Sequence, residues 1–207
     1  MKFESLIFDI DGTIWDSRAL VAEGYNAQLE AEGLGHLATN ADVLKTLFGK
    51  TMTDIADALF EEIPAPERYG LMERCMATQN IHLREDPCHI DYPGVKDTLK
   101  ELAKKYRLFI VSNSNCGYPE LCMSKMGVTD LFSGHLCFGD TGAHKGVTIQ
   151  KLMEKHNITS ACYIGDTQGD KDATDMAGLP FVYCTYGFGQ VDSCWKSIDK
   201  FEELLEL

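Results

Sequence analysis

Short runs of apolar, largely β-branched and aromatic residues recur along the chain at 5–10, 108–111, 136–138, 161–164 and 181–184. Runs of this length and composition predict strands, and near-continuous apolarity predicts strands covered on both faces. Between them the period changes. Val95, Leu99, Leu102 and Ala103 fall on one helical face, as do Val147, Leu152 and Met153 with Ile149 beside them, and a segment from Pro119 to Met126 closes on Gly127. Alternating strand and helix predicts an α/β fold, a Rossmann-like parallel sheet core with right-handed crossovers. The stretch from 17 to 90 breaks the alternation, offering helical patterns at 17–32, 41–48, 53–62 and 66–80 and no strand. It reads as an inserted helical cap, with residues 1–16 and 91–207 forming the core. Both tethers of such a cap would lie close to the end of the first strand, which suits a lid.

The first strand is also where chemistry is expected. Leu6-Ile7-Phe8-Asp9-Ile10-Asp11-Gly12-Thr13 runs a buried strand into two carboxylates and a glycine turn. Buried ionisable groups at a strand end call for a cation or a ligand, and the carboxyl ends of parallel strands border the ligand crevice. Three later strands end on complementary groups. Ser112-Asn113-Ser114-Asn115 offers hydroxyl and amide donors suited to an oxyanion. Lys145 sits at a helix start, where the helix dipole disfavours a cation and an anionic partner would compensate. Gly165-Asp166-Thr167-Gln168-Gly169-Asp170 brings two further carboxylates, which a hard divalent cation would tie to Asp9. Acid, hydroxyl, lysine and acid at four strand ends are the parts that phosphoryl transfer needs, with one carboxylate to attack phosphorus and a second to move protons.

In this motif order the chain resembles the haloacid dehalogenase-like hydrolases over nearly its whole length, Asp9 to Thr13, Ser112-Asn113, Lys145 and Gly165 to Asp170 matching the family's four motifs. The resemblance implies Asp9 as nucleophile and Asp11 as general acid/base. It implies magnesium held by Asp9, the backbone carbonyl of Asp11, Asp166 and, directly or through water, Asp170. Ser112 and Lys145 would bind the phosphoryl group, with Asn113 helping to position it and Thr13 beside them. The runs Ala177 to Phe181 and Thr185 to Gly189 resemble the phosphoglycolate phosphatase branch, in which a helical cap follows the first motif, and Lys50 falls in what resembles that branch's substrate-specificity loop. Gly146 stands after Lys145 where many relatives have proline. Dehalogenases and phosphonate-cleaving members usually lack an acid at the position of Asp11, so its presence favours phosphate chemistry.

The expected activity is therefore a magnesium-dependent phosphatase for a small phosphorylated metabolite. A β-phosphoglucomutase-like sugar phosphomutase is the nearest alternative enzyme, although such mutases often carry valine where Thr13 stands. A non-catalytic regulator that binds a phosphorylated ligand is the alternative outside catalysis, and the intact acids and lysine argue against it.

Composition narrows the partners. At 207 residues with 44% hydrophobic content the chain can bury a full core, and its net charge of −13 argues against general nucleic-acid binding. No window approaches a membrane span, so a cytoplasmic, soluble protein is expected, and with no exposed apolar stripe evident a monomer is favoured. The eight cysteines include no Cys-x-x-Cys pair, and the six histidines show no ligand spacing. Buried free thiols are expected rather than a zinc site. Cys116, three residues after Asn113, and His144, next to Lys145, are the thiol and imidazole expected near the site.

Overall fold

The computed structural model describes residues 3–207, and the chain divides into two compact units. The residues through Asp16 together with Ile90–Leu207 form one, and Ser17–His89 the other. Among the described residues six strands build the first unit: β1 (Ser5–Phe8), β2 (Arg107–Ser112), β3 (Phe132–Cys137), β4 (Ala161–Gly165), β5 (Phe181–Cys184) and β6 (Lys196–Ile198). They lie in the order β3-β2-β1-β4-β5-β6, every pairing parallel. The fold is thus the α/β parallel-sheet fold read from the sequence.

The second unit holds four helices, α1 (Arg18–Ala31), α2 (Ala41–Lys45), α3 (Met52–Leu59) and α4 (Ala65–Glu85). Its own interior is built by Leu20, Tyr25 and Leu29 of α1 together with Ile55, Leu71, Cys75 and Leu83. Asn40 caps α2 by accepting from Asp42 N and Val43 N, and Thr51 caps α3 by accepting from Asp54 N. In the first unit the crossovers are carried by α5 (Val95–Leu102), α6 (Tyr118–Met126), the short α7 (Phe138–Thr141), α8 (Lys145–His156) and α9 (Gln168–Ala177).

Register explains the core. Phe109, Ile7, Tyr163 and Phe181 are partners across four adjacent strands and so point to one face, where Ile149 and Leu152 of α8 and Ala173 of α9 cover them. Each such large side chain taken fully from water contributes roughly 1.5–3 kcal/mol. On the other face Phe8 stacks on Phe201 with centroids 5.9 Å apart and meets the edge of Phe132. The Tyr163 hydroxyl, buried in this apolar layer, donates to Val111 O at 2.9 Å.

Several element boundaries differ from the sequence reading. β1 ends at Phe8 rather than at residue 10, though Asp9 N still donates to Ile164 O at 2.9 Å. The strand read at 136–138 begins at Phe132 and stops at Cys137, because Phe138 opens α7. β3 lies at the sheet edge, so Ser133, Gly134 and His135 interrupt its apolar run without penalty. β6 was not read at all, being three residues long with only Ile198 buried. The helix read at 41–48 ends at Lys45, and that at 66–80 runs on to Glu85. Residue 90, read with the insertion, belongs to the sheet-bearing unit.

Candidate active site

Strand β1 delivers Asp9 and Asp11 into a tight turn. Ile14 N donates to Ile10 O at 2.8 Å and Gly12 N to Trp15 O at 2.9 Å, so the chain folds back within one turn of leaving the sheet. Gly12 takes φ +82°, and a Cβ there would stand 2.2 Å from Asp166 Oδ2, so the turn admits only glycine if the carboxylate is to lie against it. Asp16 N then bonds Ile90 O at 2.8 Å and Tyr92 N bonds Ile14 O at 3.1 Å, which pins the chain's departure beside its return.

Strand β4 delivers Asp166 and Asp170. Thr167 caps α9, its hydroxyl accepting from Asp170 N, and Asp170 Oδ2 in return accepts from Asp166 N, Thr167 N and the Thr167 hydroxyl. Asp170 Oδ1 faces Lys145 Nζ at 2.6 Å, and the same ammonium donates to Asp9 Oδ1 at 2.9 Å. Lys145 opens α8, so a cation stands where the helix dipole disfavours one, and the two carboxylates compensate. All four side chains are buried: Asp9 and Lys145 are 4% exposed, Asp166 and Asp170 0%.

Burial on this scale sets the proton affinities. It pushes the Asp9 carboxyl up to about 7, against the pull of Lys145 and with the push of Asp170. It also raises Asp166 well above the carboxylate range, helped by Asp170 and Asp9, although Phe188 N donates to Asp166 Oδ2 at 2.7 Å. Burial alone would lower Lys145, but Asp170 and Asp9 outweigh it and hold the ammonium charged.

Asp9 and Asp170 therefore share one buried ammonium with Asp166 beside them, and each of the three acids offers an oxygen within 4.8 Å of the others. An all-oxygen, anionic donor set fits a hard divalent cation such as magnesium. Within the trio Asp170 differs. Both its oxygens are engaged by Lys145 and the Thr167 loop, so it serves first to hold Lys145 and the loop.

Asp11 stands apart from this trio and is half-buried. Its Oδ1 accepts from Trp15 Nε1 at 2.9 Å and from the Tyr118 hydroxyl at 2.8 Å, while Trp15 and Tyr118 meet edge to face. Neither aromatic was singled out in the sequence; the available signal was a pair of aromatics with polar tips, one at i+4 from the acid and one opening the helix after β2. The Thr13 hydroxyl donates to Asp166 Oδ1 at 3.2 Å, which gives this buried side chain an acid-holding contact beside its expected place near the substrate. Ser112 ends β2, and its hydroxyl oxygen accepts from Ser114 N at 3.2 Å, leaving the proton to donate. Asn113 follows, half-buried in the same loop. His144 is exposed at the N-cap of α8, and Lys50 is exposed within the helical unit, its N bonded to Leu47 O at 3.1 Å.

Comparison with known proteins agrees with this geometry. A family model described as haloacid dehalogenase-like hydrolase matches residues 6–184. The chain is 29% identical to a phosphoglycolate phosphatase of Vibrio parahaemolyticus, over 98% of this chain and 94% of that relative. It is 28% identical to a phosphoglycolate phosphatase of Vibrio vulnificus, over 90% of this chain and 86% of the relative. Among solved structures, a haloacid dehalogenase-like hydrolase from Bacteroides fragilis aligns with a TM-score of 0.83 at 20% identity, covering 98% of this chain and all of the other. A 2-haloacid dehalogenase from Pseudomonas syringae aligns with a TM-score of 0.67, also at 20% identity, covering 99% and 97%. The same fold carries proteins named for different reactions, so the fold does not select among them and the side chains must.

Proposed function

Because the chain belongs to the haloacid dehalogenase-like hydrolase family, we propose that it hydrolyses the phosphoric monoester of a small metabolite, phosphoglycolate or a sugar phosphate, by way of a phosphoryl group carried on Asp9. The reading is carried by one observation: Asp9, Asp166 and Asp170 gather their oxygens together, Lys145 bonds the first and the last of them, and a further carboxylate, Asp11, stands two residues from Asp9. The names of the Vibrio relatives support the substrate class.

In this reading Asp9, Asp166 and the backbone carbonyl of Asp11 hold a magnesium ion, with Asp170 contributing through water. The ion, when bound, neutralises the gathered carboxylates and draws phosphate oxygens toward them. Lys145 and the Ser112 hydroxyl hold phosphoryl oxygens, and Asn113 helps orient the group. An Asp9 carboxylate oxygen attacks phosphorus, the ester P–O bond breaks, and Asp11 gives its proton to the leaving alcohol. Asp11 then takes a proton from water, the water oxygen attacks phosphorus, and the bond to Asp9 breaks to release orthophosphate. Trp15 and Tyr118 keep the Asp11 carboxyl in one orientation through both steps.

The test is orthophosphate release from phosphoglycolate, sugar phosphates, nucleotides and an aryl phosphate, with magnesium or with a chelator. Turnover that requires the metal and falls at least ~10³-fold in Asp9→Asn is expected. No release from any of these substrates overturns the reading, and conversion of one sugar phosphate to its isomer without release would identify a mutase instead.

A further inference from the structure

Beside the carboxylate centre the same sheet edge carries sulfur. Strands β2 and β3 end side by side, with Ser112 opposite Cys137 in the parallel register. The loop leaving β2 and the short helix leaving β3 press together: Gly139 N donates to Ser114 O at 3.2 Å, and a Cβ on Gly139 would stand 2.5 Å from Cys116 N. Only a glycine permits that approach. Its result is a cluster of three ligand-type side chains from two segments, Cys116 from the loop after β2 and Cys137 with Asp140 from the start of α7, where Cys137 N also donates to Asp140 Oδ2 at 2.8 Å. The Cys116 thiol donates to Asp140 Oδ1 at 3.5 Å, and the Cys137 thiol to Asp140 Oδ2 at 3.1 Å. One donor atom from each of the three residues lies within 4.8 Å of the other two. His135 stands two residues before Cys137, on the same face of β3, with Nε2 3.1 Å from Glu120. The phosphatase chemistry uses none of these groups.

We propose that Cys116, Cys137 and Asp140 form a binding site for a thiophilic divalent cation of the zinc type, with a fourth position open to solvent. The spacing is right for it. Ligand bonds of about 2.3 Å to sulfur and 2.0–2.2 Å to a carboxylate oxygen, set tetrahedrally, separate sulfur from oxygen by roughly 3.5 Å. The two thiol–carboxylate separations, 3.5 and 3.1 Å, are made to different oxygens of Asp140, and one of those oxygens lies within 4.8 Å of both sulfurs, so a small turn of the carboxylate brings a single oxygen to that distance from each. Access is available because Cys116 and Asp140 are exposed, while Cys137 is buried and fixed at the strand end. Binding replaces the two thiol protons by the cation and releases them to solvent, with no change of oxidation state.

A disulfide between the two thiols is the competing use of the pair, and the surroundings disfavour it. Oxidation by a peroxide begins at a thiolate. Burial, together with the hydrogen bond to Asp140, pushes the Cys137 thiol far up, so the buried partner of the pair is held protonated. A cation removes that obstacle. Donor chemistry also separates this site from the neighbouring centre, since Asp9, Asp166 and Asp170 offer only hard oxygens and these residues offer two sulfurs.

Cobalt(II) is the probe, added to the reduced full-length protein in saturating magnesium. One equivalent per chain is expected to give a thiolate-to-metal charge-transfer band, bleached when zinc displaces it. Cys116→Ser, at an exposed position, should fold normally, keep magnesium-dependent phosphate release, and lose most of the band. Asp140→Asn should keep the band but weaken cobalt affinity by about 10-fold or more. The double variant Cys88→Ser/Cys194→Ser removes the other exposed thiols and should leave the band intact. Absence of the band in the unaltered protein overturns the proposal, as does a band that survives Cys116→Ser or disappears in the double variant.

Discussion

The two ends of this sheet edge solve opposite problems. At β1 and β4, Asp9, Asp166, Asp170 and Lys145 are all but sealed from water and tied to one another. At the end of β2, Ser112 is buried but uncharged and Asn113 follows half-buried in the loop. Buried charges are costly unless paired, so the first region must be held rigidly by its own ion pairs. The second carries neutral hydroxyl and amide groups and needs no such pairing. A site that binds a dianion with carboxylates needs both, one half that concentrates charge and one that supplies neutral donors.

The sharpest way to break the contrast is to remove the charge that holds the buried half together. Lys145→Met leaves Asp9 and Asp170 buried without their cation. We expect a loss of about 3–5 kcal/mol of stability in chelator, where one partner of a buried pair is missing, with magnesium restoring part of it. Phosphate release should collapse at every magnesium concentration. Urea unfolding with and without magnesium measures the first, and an equal midpoint for variant and parent would show that the lysine does not organise the carboxylates.

A smaller effect is expected at the boundary between the halves, where Tyr118 from the β2 side reaches Asp11 on the β1 side. Tyr118→Phe deletes the hydroxyl that bonds Asp11 Oδ1 while keeping the ring against Trp15, and kcat should fall about 10-fold with KM little changed. An unaltered kcat would mean that Tyr118 serves only to pack against Trp15.

The smallest effect sharpens the assignment of Thr13. Thr13→Val keeps the shape and deletes the hydroxyl's bond to Asp166 Oδ1. A loss of about 1 kcal/mol of stability is expected, the usual worth of one hydrogen bond, with KM unchanged. A raised KM with unaltered stability would move Thr13 from the buried half to the substrate.

Much of this was legible in the sequence because chemistry and hydrophobic pattern coincide there. β1 reads as a strand from Leu6-Ile7-Phe8, and the acids after it stand out because a buried strand should not end on them. Lys145 was legible only through motif order, since a lone lysine at a helix start has no distinctive pattern. What was hidden depends on tertiary neighbours. β6 has too few residues to show a period, and it exists because the sheet already offers β5 as a partner. The bond of Tyr118 to Asp11 joins residues far apart in the sequence, as does the approach of Cys116 to Cys137 and Asp140, which the parallel register of β2 and β3 brings about. The expectation of buried free thiols also holds for Cys75, Cys122, Cys137, Cys162 and Cys184 but not for Cys88, Cys116 and Cys194, which are exposed.

The hydrogen bond from Asp16 N to Ile90 O closes the chain on itself at the point where the helical unit begins and ends. For the sheet, everything between those two residues is a loop whose ends are already together. Loop-closure entropy grows only with the logarithm of length, and here the closure is made by the strand-like pairing itself. The turn that begins at Asp9 is closed by its own hydrogen bonds, and lengthening the chain between Asp16 and Ile90 adds to the cost of that closure only slowly.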